Sequence, residues 1–264
     1  MTMTEFFRRK EVDNLLFDSF IIDEGQDIPE EYWKNISEII EANFILYIFY
    51  DDNQKIYFKG EDSIPILEDI KPYQLNFNCR NTKSIHNLSL PFYKSRDKPE
   101  SLVKIDRVPE IIIAKQSLEN SLEEILDTLF QKENIPFKNI TILTPRQGER
   151  KGPSYPPVKS IFKSPSVIIG RYEIVRDINL RNKKNAVFCS TIQSFKGLEN
   201  DIIILTELDG IIFQENVAEV FYIGLTRCKG HLIIIFEKEE SMRKFGEFQE
   251  KFIQQNNVQN DNAS

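Results

Sequence analysis

The chain has 264 residues, of which 41% are hydrophobic, and this suits one large or two small domains. The 34 basic and 41 acidic residues give a net charge of −7, which argues against a protein that holds nucleic acid mainly through a global positive field. The three cysteines lack the paired spacing of a zinc site or a secreted disulfide framework, and no signal-peptide pattern or membrane-length apolar run occurs. We therefore expect a soluble, cytoplasmic protein with no membrane partner.

Short apolar runs alternate with helical patterns along the chain, which is typical of strands that feed crossover helices in a parallel sheet. Several runs are apolar on both faces, as strands buried between two layers of helices require. Strands are predicted at 17–22, 44–49, 110–114, 139–143, 186–190, 201–206 and 231–236, and helices at 30–41, 80–92, 118–131, 215–228 and 239–254. The predicted fold class is therefore α/β, with parallel sheets and flanking helices.

A domain boundary is predicted near residues 94–109, where a polar, proline-containing segment interrupts the apolar pattern. The predicted units are 1–93 and 94–255. A polar segment at 256–264 follows them, and its composition predicts a disordered tail.

Residues 144–185 are unusually basic, with ten cations against three acidic residues. Tyr155, Phe162 and Tyr172 interleave with these cations, as in surfaces that bind single-stranded nucleic acid through phosphate contacts and base stacking. A solvated surface loop explains the same composition equally well. The sequence leaves both interpretations open.

An acidic pair, Asp23 and Glu24, follows the first predicted strand. A carboxylate at the end of a buried strand can hold Mg²⁺ on ATP, and a second carboxylate beside it can orient or deprotonate the attacking water. Acidic residues also occupy such loops for solubility alone, so the pair by itself is weak evidence. Its meaning depends on the segments that follow it.

Four further segments follow in a fixed order, at residues 50–57, 75–82, 191–201 and 222–228. Their sequences are YDDNQKIY, LNFNCRNT, TIQSFKGLEND and YIGLTRC. Together with FDSFIIDEGQD at 17–27, they resemble motifs II to VI of superfamily 1 DNA helicases of the UvrD/Rep type. The stretches at 17–27 and 47–54 are especially similar to the helicase half of proteins that carry a nuclease-related NERD domain. The resemblance implies an incomplete first RecA-like domain followed by a second RecA-like domain.

The resemblance also implies roles in ATP hydrolysis. Asp23 would coordinate Mg²⁺ on ATP, Glu24 would be the catalytic base, and Gln54 would sense the γ-phosphate. Arg80 and Arg227 would reach the same phosphate, where a guanidinium neutralises the charge that builds up during phosphoryl transfer.

Further roles concern the nucleotide and single-stranded DNA. The resemblance implies that Gly197 brings its backbone close to the nucleotide and that Glu199 contacts the ribose or the metal shell. Tyr57 would stack on a base of the DNA strand, and Thr191 and Gln193 would contact its backbone or a base.

The chain departs from the family at the phosphate-binding loop. That loop needs Gly-x-x-x-x-Gly-Lys-Ser/Thr, because the glycine amides surround the phosphates and the lysine meets the β and γ oxygens. None of the ten glycines is followed by lysine, and the residues before the first predicted strand are too few for the missing strand, loop and helix. We therefore expect ATP and Mg²⁺ to bind only when a P-loop-containing helicase half, or a nuclease-helicase protein, complements this chain.

Three interpretations remain open on the sequence. In the first, the chain is the C-terminal motor half of a split or truncated helicase. In the second, it is a catalytically inactive module that binds nucleic acid or a partner protein. In the third, it derives from a disrupted gene and is only marginally folded.

Overall fold

The computed structural model of the protein describes residues 17–54, 72–93, 98–145, 160–180, 183, 185–214 and 217–261. The chain forms two compact units, unit 1 at Met1–Leu75 and unit 2 at Asn76–Ser264. This division falls earlier than the boundary that the sequence predicts near residues 94–109. The Asn81 side-chain amide explains the difference, because it donates to the carbonyl oxygens of Thr226 (3.0 Å) and Cys228 (2.6 Å) and so ties this segment to unit 2.

Unit 1 contains a pair of parallel strands and a helix, namely β1 (Phe17–Ile22), α1 (Glu30–Ile39) and β2 (Ile40–Ile48). Successive side chains of a strand point to opposite faces. On one face, Ile22 and Ile48 pack against Trp33 and Ile36 of α1, which are 2% and 3% exposed. This small cluster is the core of the described part of unit 1.

Unit 2 contains the larger sheet. Its elements in chain order are β3 (Phe77–Thr82), α2 (Lys83–Ser89), β4 (Glu100–Val103), β5 (Glu110–Ile113), α3 (Leu118–Asp127), β6 (Ile140–Thr144), β7 (Ser166–Ile169), β8 (Tyr172–Val175), β9 (Ala186–Thr191), β10 (Asn200–Leu205), α4 (Val217–Thr226), β11 (Cys228–Phe236) and α5 (Glu239–Asp261). The described residues form a seven-stranded sheet in the order β5-β11-β10-β6-β9-β8-β7. Its neighbouring strands are parallel except β7 and β8, which are antiparallel. A separate parallel pair joins β3 to β4.

Helices cover both faces of the large sheet. On one face, Leu122 and Leu126 of α3 pack with Ile142 and Ile204, and all four side chains are fully buried. On the other face an aromatic cluster joins Phe236 to α4 and α5, through stacked or tilted contacts among Phe92, Phe221, Phe236 and Phe245. The predicted α/β class, with mostly parallel strands and flanking helices, is confirmed.

Several local predictions differ from the structure. The helix expected from residue 80 begins at Lys83, because Arg80 to Thr82 extend β3 and the Thr82 hydroxyl caps the helix by accepting from the Ile85 amide. Strands β3, β4, β7 and β8 were not predicted, because they are short and mix polar with apolar residues. The predicted disordered tail is wrong for 256–261, since α5 continues to Asp261, and residues 262–264 lie outside the described part.

Within the described ranges, no helix combines the length and the apolar character that crossing a bilayer requires.

Candidate functional site

The acidic pair lies at the carboxyl end of β1, where the chain leaves the strand. Glu24 has a backbone φ of 53°, in the left-handed region, which costs a residue other than glycine about 1–2 kcal/mol. The Glu24 amide donates to Oδ1 of Asp23 at 2.9 Å, and the tight turn at Gly25–Asp27 follows. Strained conformations of this kind concentrate at functional sites. The turn therefore holds the two carboxylates at the edge of the strand pair.

A chain of hydrogen bonds joins the acidic pair to the segment after β2. Gln26, which is 5% exposed, donates from Nε2 to Oε2 of Glu24 at 2.6 Å and accepts the Asp51 amide at Oε1 at 3.0 Å. Gln54 Nε2 donates in turn to Oδ2 of Asp51 at 2.8 Å. The amide and side chain of Asn53 both donate to the other Asp51 oxygen, each at 2.9 Å. Gln54 is thus connected to Glu24 by hydrogen bonds through Asp51, which is half-buried, and Gln26, which is buried.

The donor set at this edge fits Mg²⁺ carried by a nucleotide. The described residues contain no group of three or more His, Cys, Asp or Glu side chains that could hold a metal ion by themselves. Magnesium bound with ATP takes only one or two carboxylates, together with phosphate oxygens and water. Asp23, which is exposed at the strand end, would be the carboxylate that holds it.

In unit 2, asparagines of β3 position Arg80. Oδ1 of Asn78 accepts the backbone amides of Arg80 (3.0 Å) and Asn81 (2.9 Å), and Asn78 Nδ2 donates to the Asn81 side-chain oxygen at 2.8 Å. Asn81 is 1% exposed and bonds to the carbonyl oxygens on either side of Arg227. The segment around Arg80 and the segment around Arg227 are therefore joined by a buried amide.

Arg80 and Glu199 form an ion pair. Arg80 Nε lies 2.6 Å from Oε2 of Glu199, and Lys229 Nζ lies 3.7 Å from the other Glu199 oxygen and 3.1 Å from Asp201. The carboxylates of Glu199 and Asp201 raise the pKa of Lys229, with the Asp201 hydrogen bond as the largest cause. The structure thus brings two predicted site residues together in a surface network in which both side chains are about two-fifths exposed.

A compact turn after β9 carries the other predicted residues of unit 2. Thr191 ends the strand, and its hydroxyl oxygen accepts the Ser194 amide at 2.9 Å. Ile192 and Phe195 point inward and are 0% and 3% exposed. Gln193 is half-buried, and Gly197 has φ +79° with open space where a Cβ would be. The backbone at Gly197 is therefore accessible to a ligand.

Arg227 does not extend into solvent. It is 2% exposed, and its guanidinium donates to the carbonyl oxygens of Ile223 (3.3 Å) and Leu198 (3.5 Å) and to the Thr226 hydroxyl (3.3 Å). The contact with Leu198 places Arg227 beneath the same turn that carries Gly197 and Glu199. In this conformation Arg227 stabilises the turn from inside unit 2.

The described aromatic residues of the basic stretch are not available for base stacking. Phe162 and Tyr172 are each 1% exposed, because they fill the core between α3 and the sheet. Burial and a hydrogen bond to Asp127 raise the pKa of Tyr172 to about 12. Two cations of the stretch form ion pairs, Arg171 with Asp127 at 3.3 Å and Lys183 with Glu173 at 2.7 Å. The predicted stacking residues Tyr57 and Tyr155 lie outside the described residues.

Sequence reasoning gave no role to Gln26 and Asn81, although both lie within the quoted motifs. Each is almost fully buried and hydrogen-bonded to the surroundings of a predicted catalytic residue. The sequence feature that could have identified both residues is an amide side chain within a functional motif. Such a side chain must satisfy its hydrogen bonds if it is buried.

No protein-family model and no curated protein matches the chain. Similar solved structures include the PRRSV helicase, at 16% identity and TM-score 0.44. The aligned region covers 83% of this chain and 35% of the PRRSV helicase chain. A second structure, PRRSV nsp10 (helicase), has 16% identity, TM-score 0.31 and coverages of 85% and 37%. The C-terminal domain of a possible DNA helicase from Lactobacillus plantarum WCFS1 has 12% identity, TM-score 0.35 and coverages of 60% and 86%. This chain spans about a third of the length of the two PRRSV chains.

Proposed function

We propose that this chain is the motor half of a UvrD-like, ATP-dependent DNA helicase or translocase. Unit 1 is then part of a first RecA-like domain, unit 2 contains the second, and a P-loop-containing polypeptide completes the ATP site. The hydrogen-bonded path from Glu24 through Gln26 and Asp51 to Gln54 carries the proposal. A solvated acidic loop does not require a buried glutamine that joins two strand ends.

In this function unit 1 activates water and reports on the nucleotide. Asp23 would hold the magnesium that accompanies ATP, and Glu24 would take a proton from the water that attacks the γ-phosphate, with ADP as the leaving group. The Gln26 amide orients the Glu24 carboxylate, which limits the positions that the water can take. Gln54 contacts the γ-phosphate, and its bond to Asp51 transmits that contact back to Glu24.

Unit 2 supplies positive charge and a surface for the nucleotide. Arg80 exchanges the Glu199 carboxylate for the γ-phosphate, and Glu199 then contacts the ribose or the metal shell. The open backbone at Gly197 approaches the nucleotide. Arg227 must exchange its carbonyl partners for the phosphate, so its contribution requires the turn above it to move. The burial of Arg227 supports the interpretation that this conformation is a resting state, in which Arg227 does not reach the phosphate.

Single-stranded DNA is the proposed track. Thr191 and Gln193 lie at the start of the turn that ends at Glu199, so a strand that touches them is connected to the nucleotide residues through one short segment. Tyr57 is the proposed stacking residue in unit 1.

The test is reconstitution of ATP hydrolysis. The chain is mixed with the polypeptide encoded immediately upstream of Met1, and phosphate release is measured with and without single-stranded DNA. We expect DNA-stimulated hydrolysis only in the mixture, and we expect Glu24→Gln to abolish it. Glu31→Gln, an exposed change on α1, is the matched control and should retain activity. No gain of hydrolysis on mixing contradicts the proposal.

A second candidate, an inactive module that binds nucleic acid or protein, is favoured by the burial of Arg227, whose bonds are structural in this conformation. Binding of single-stranded DNA by the chain alone, with the same affinity in the presence of ATP and in Arg80→Ala, would support this candidate over the motor.

A further inference from the structure

The imidazole of His86 is buried where α2 meets β3 and the residue before β4. It is 4% exposed, and each ring nitrogen has a hydrogen-bond partner. Nε2 lies 2.7 Å from the carbonyl oxygen of Pro99, and Nδ1 lies 3.2 Å from the side-chain nitrogen of Asn78. The chemistry proposed for ATP hydrolysis makes no use of this titratable group.

The two partners of His86 determine its protonation state. A carbonyl oxygen can only accept, so Nε2 must carry a proton and donate it to Pro99. Oδ1 of Asn78 accepts the backbone amides of Arg80 at 3.0 Å and Asn81 at 2.9 Å, so the end of Asn78 that faces the ring is its amide nitrogen, which can only donate. Nδ1 must therefore accept, and the ring is neutral with its single proton on Nε2.

Asn78 connects this ring to the backbone of Arg80. Its Nδ2 donates to His86 Nδ1 and, at 2.8 Å, to the side-chain oxygen of Asn81, while its Oδ1 accepts the two backbone amides. Half a turn of the Asn78 amide would set its nitrogen against those two N–H donors. The acceptor on the neutral His86 ring therefore supports the one orientation in which Asn78 holds the Arg80 backbone.

A second proton on the ring would oppose this arrangement. Protonation of Nδ1 places two N–H donors against each other across the contact with Asn78. Asn78 must then turn or withdraw, and either movement takes its oxygen away from the amides of Arg80 and Asn81. The position of Arg80 is thus linked to the protonation state of His86.

Burial favours the neutral ring. Burial lowers the pKa of His86 below 6.5, and the hydrogen bond to Pro99 opposes this shift. Among the described residues, the charged or titratable side chains on the surrounding elements are Lys83 of α2, Cys79 and Arg80 of β3, Lys98 and Glu100 around the start of β4, Glu219 and Tyr222 of α4, and Arg227, Cys228 and Lys229 around the start of β11. None of these is a cause of the shift, which leaves the buried contacts of the ring itself to set its behaviour.

We propose that His86 is a positioning residue for Arg80. Its neutral imidazole, acting through Asn78, holds the Arg80 backbone where the guanidinium can meet the γ-phosphate, and protonation of the ring releases that backbone. The inference rests on the proposed function and deepens it, because it makes the placement of this arginine depend on one proton.

The first test is NMR spectroscopy of the full chain alone. The chain has two histidines, so His231→Gln assigns the ring resonances of His86. We expect the Nε2–H tautomer near neutral pH, and on acidification the amide resonances of Arg80 and Asn81 should shift with the same midpoint as the ring, below 6.5. His231 is as deeply buried, at 3% exposed, and its substitution should leave this response unchanged. An Nδ1–H tautomer, or amides that do not follow the ring, overturns the inference.

Two substitutions separate positioning from space filling. His86→Asn retains an acceptor near the place of Nδ1, whereas His86→Gln retains a donor near Pro99 and loses that acceptor. Hydrogen exchange at the amides of Arg80 and Asn81 should be about fivefold faster in His86→Gln than in His86→Asn, a factor that corresponds to one net hydrogen bond. Equal exchange in the two variants would show that the ring only fills space.

The second test measures ATP hydrolysis by the chain mixed with the upstream-encoded polypeptide. Arg80 would act on charge that develops during phosphoryl transfer, so His86→Gln should lower kcat more than His86→Asn does and leave KM for ATP nearly unchanged. A mixture of the parent chain that hydrolyses no ATP contradicts only the proposed function, because the NMR and exchange results do not depend on hydrolysis. Hydrolysis with equal kcat in the two variants contradicts only the positioning role of His86.

Discussion

The two units differ in how completely their own helices cover their strands. In unit 2, Ile142, Ile204 and Ile234 are fully buried, since helices lie on both faces of the sheet. In the described part of unit 1, α1 covers one face of β1 and β2, and Ile21 and Tyr47 on the other face are more than half exposed. Unit 2 therefore has a core that is covered on both faces, and the described part of unit 1 has a core on one face of its strand pair.

The comparison shows what an apolar strand does and does not predict. The β1 sequence FDSFII and the β10 sequence NDIIIL both end in consecutive apolar residues. That pattern predicts burial on both faces, but it does not tell which polypeptide supplies the cover. In unit 2 the cover comes from the same chain, whereas the described residues of unit 1 leave one face of their strand pair exposed.

The largest expected effect is a loss of stability in the unit 2 core. Leu122→Ala removes a fully buried side chain from α3 and should lower the free energy of unfolding by about 2–5 kcal/mol. Ile21→Ala, at a β1 side chain that is 75% exposed, should change it by less than about 0.5 kcal/mol. Urea denaturation measures both. Similar losses for the two variants would break the distinction between the units.

A second prediction concerns the two hydrogen bonds by which the Asn81 side chain joins β3 to the rest of unit 2. Asn81→Ala leaves the carbonyl oxygens of Thr226 and Cys228 without their amide donor, and each unsatisfied buried group costs about 1–3 kcal/mol. The exposed residue Asn87 on α2 supplies the control, Asn87→Ala, which should have little effect. Thermal denaturation compares them, and equal melting temperatures would show that Asn81 does not fasten β3 to unit 2.

A smaller, pH-dependent effect is expected at Glu207, which follows β10 and is 6% exposed. Burial is the largest cause that raises the pKa of Glu207 above 4.5, while hydrogen bonds from Thr144, Ser160 and Ile161 oppose the shift. The folded state therefore holds this proton more tightly than the unfolded state, and its contribution to stability is lost as the pH rises above 4.5.

Denaturation at a series of pH values tests this. Glu207→Gln should flatten the decline in stability with rising pH, while Glu240→Gln, an exposed change on α5, should leave it as in the parent chain. A parent-like slope in Glu207→Gln would contradict the assignment.

The smallest expected effect is at Glu199. Its ion pair with Arg80 is about two-fifths exposed on both sides, and such pairs contribute about 0–1 kcal/mol. Glu199→Gln should therefore unfold at nearly the same urea concentration as the parent chain, and added salt should reduce the difference further. A loss much larger than 1 kcal/mol would give Glu199 a structural role in unit 2.

The sequence predicted β6, β9, β10 and β11 because burial on both faces leaves a continuous apolar pattern, as at Ile202 to Leu205, but it missed β7 and β8 of the same sheet. It did not predict β3, whose polar residues serve hydrogen bonds around Asn78 and Asn81 rather than a hydrophobic face. The path from Glu24 to Gln54 depends on the register of β1 against β2, which no local pattern contains. Arg227 was expected at the nucleotide, and only packing reveals its bonds to backbone carbonyls. The catalytic roles of these residues stay predictions.

In the function that we propose, unit 1 is an incomplete domain that a P-loop-bearing polypeptide completes. Hydrogen exchange of the full chain, measured with and without the upstream-encoded polypeptide, tests it most directly. We expect the amides of β1 and β2 to exchange much faster than those of β6 and β10 in the chain alone, and to become protected on mixing while β6 and β10 are unchanged. Slow exchange of β1 and β2 in the chain alone, or no gain of protection on mixing, would contradict the account.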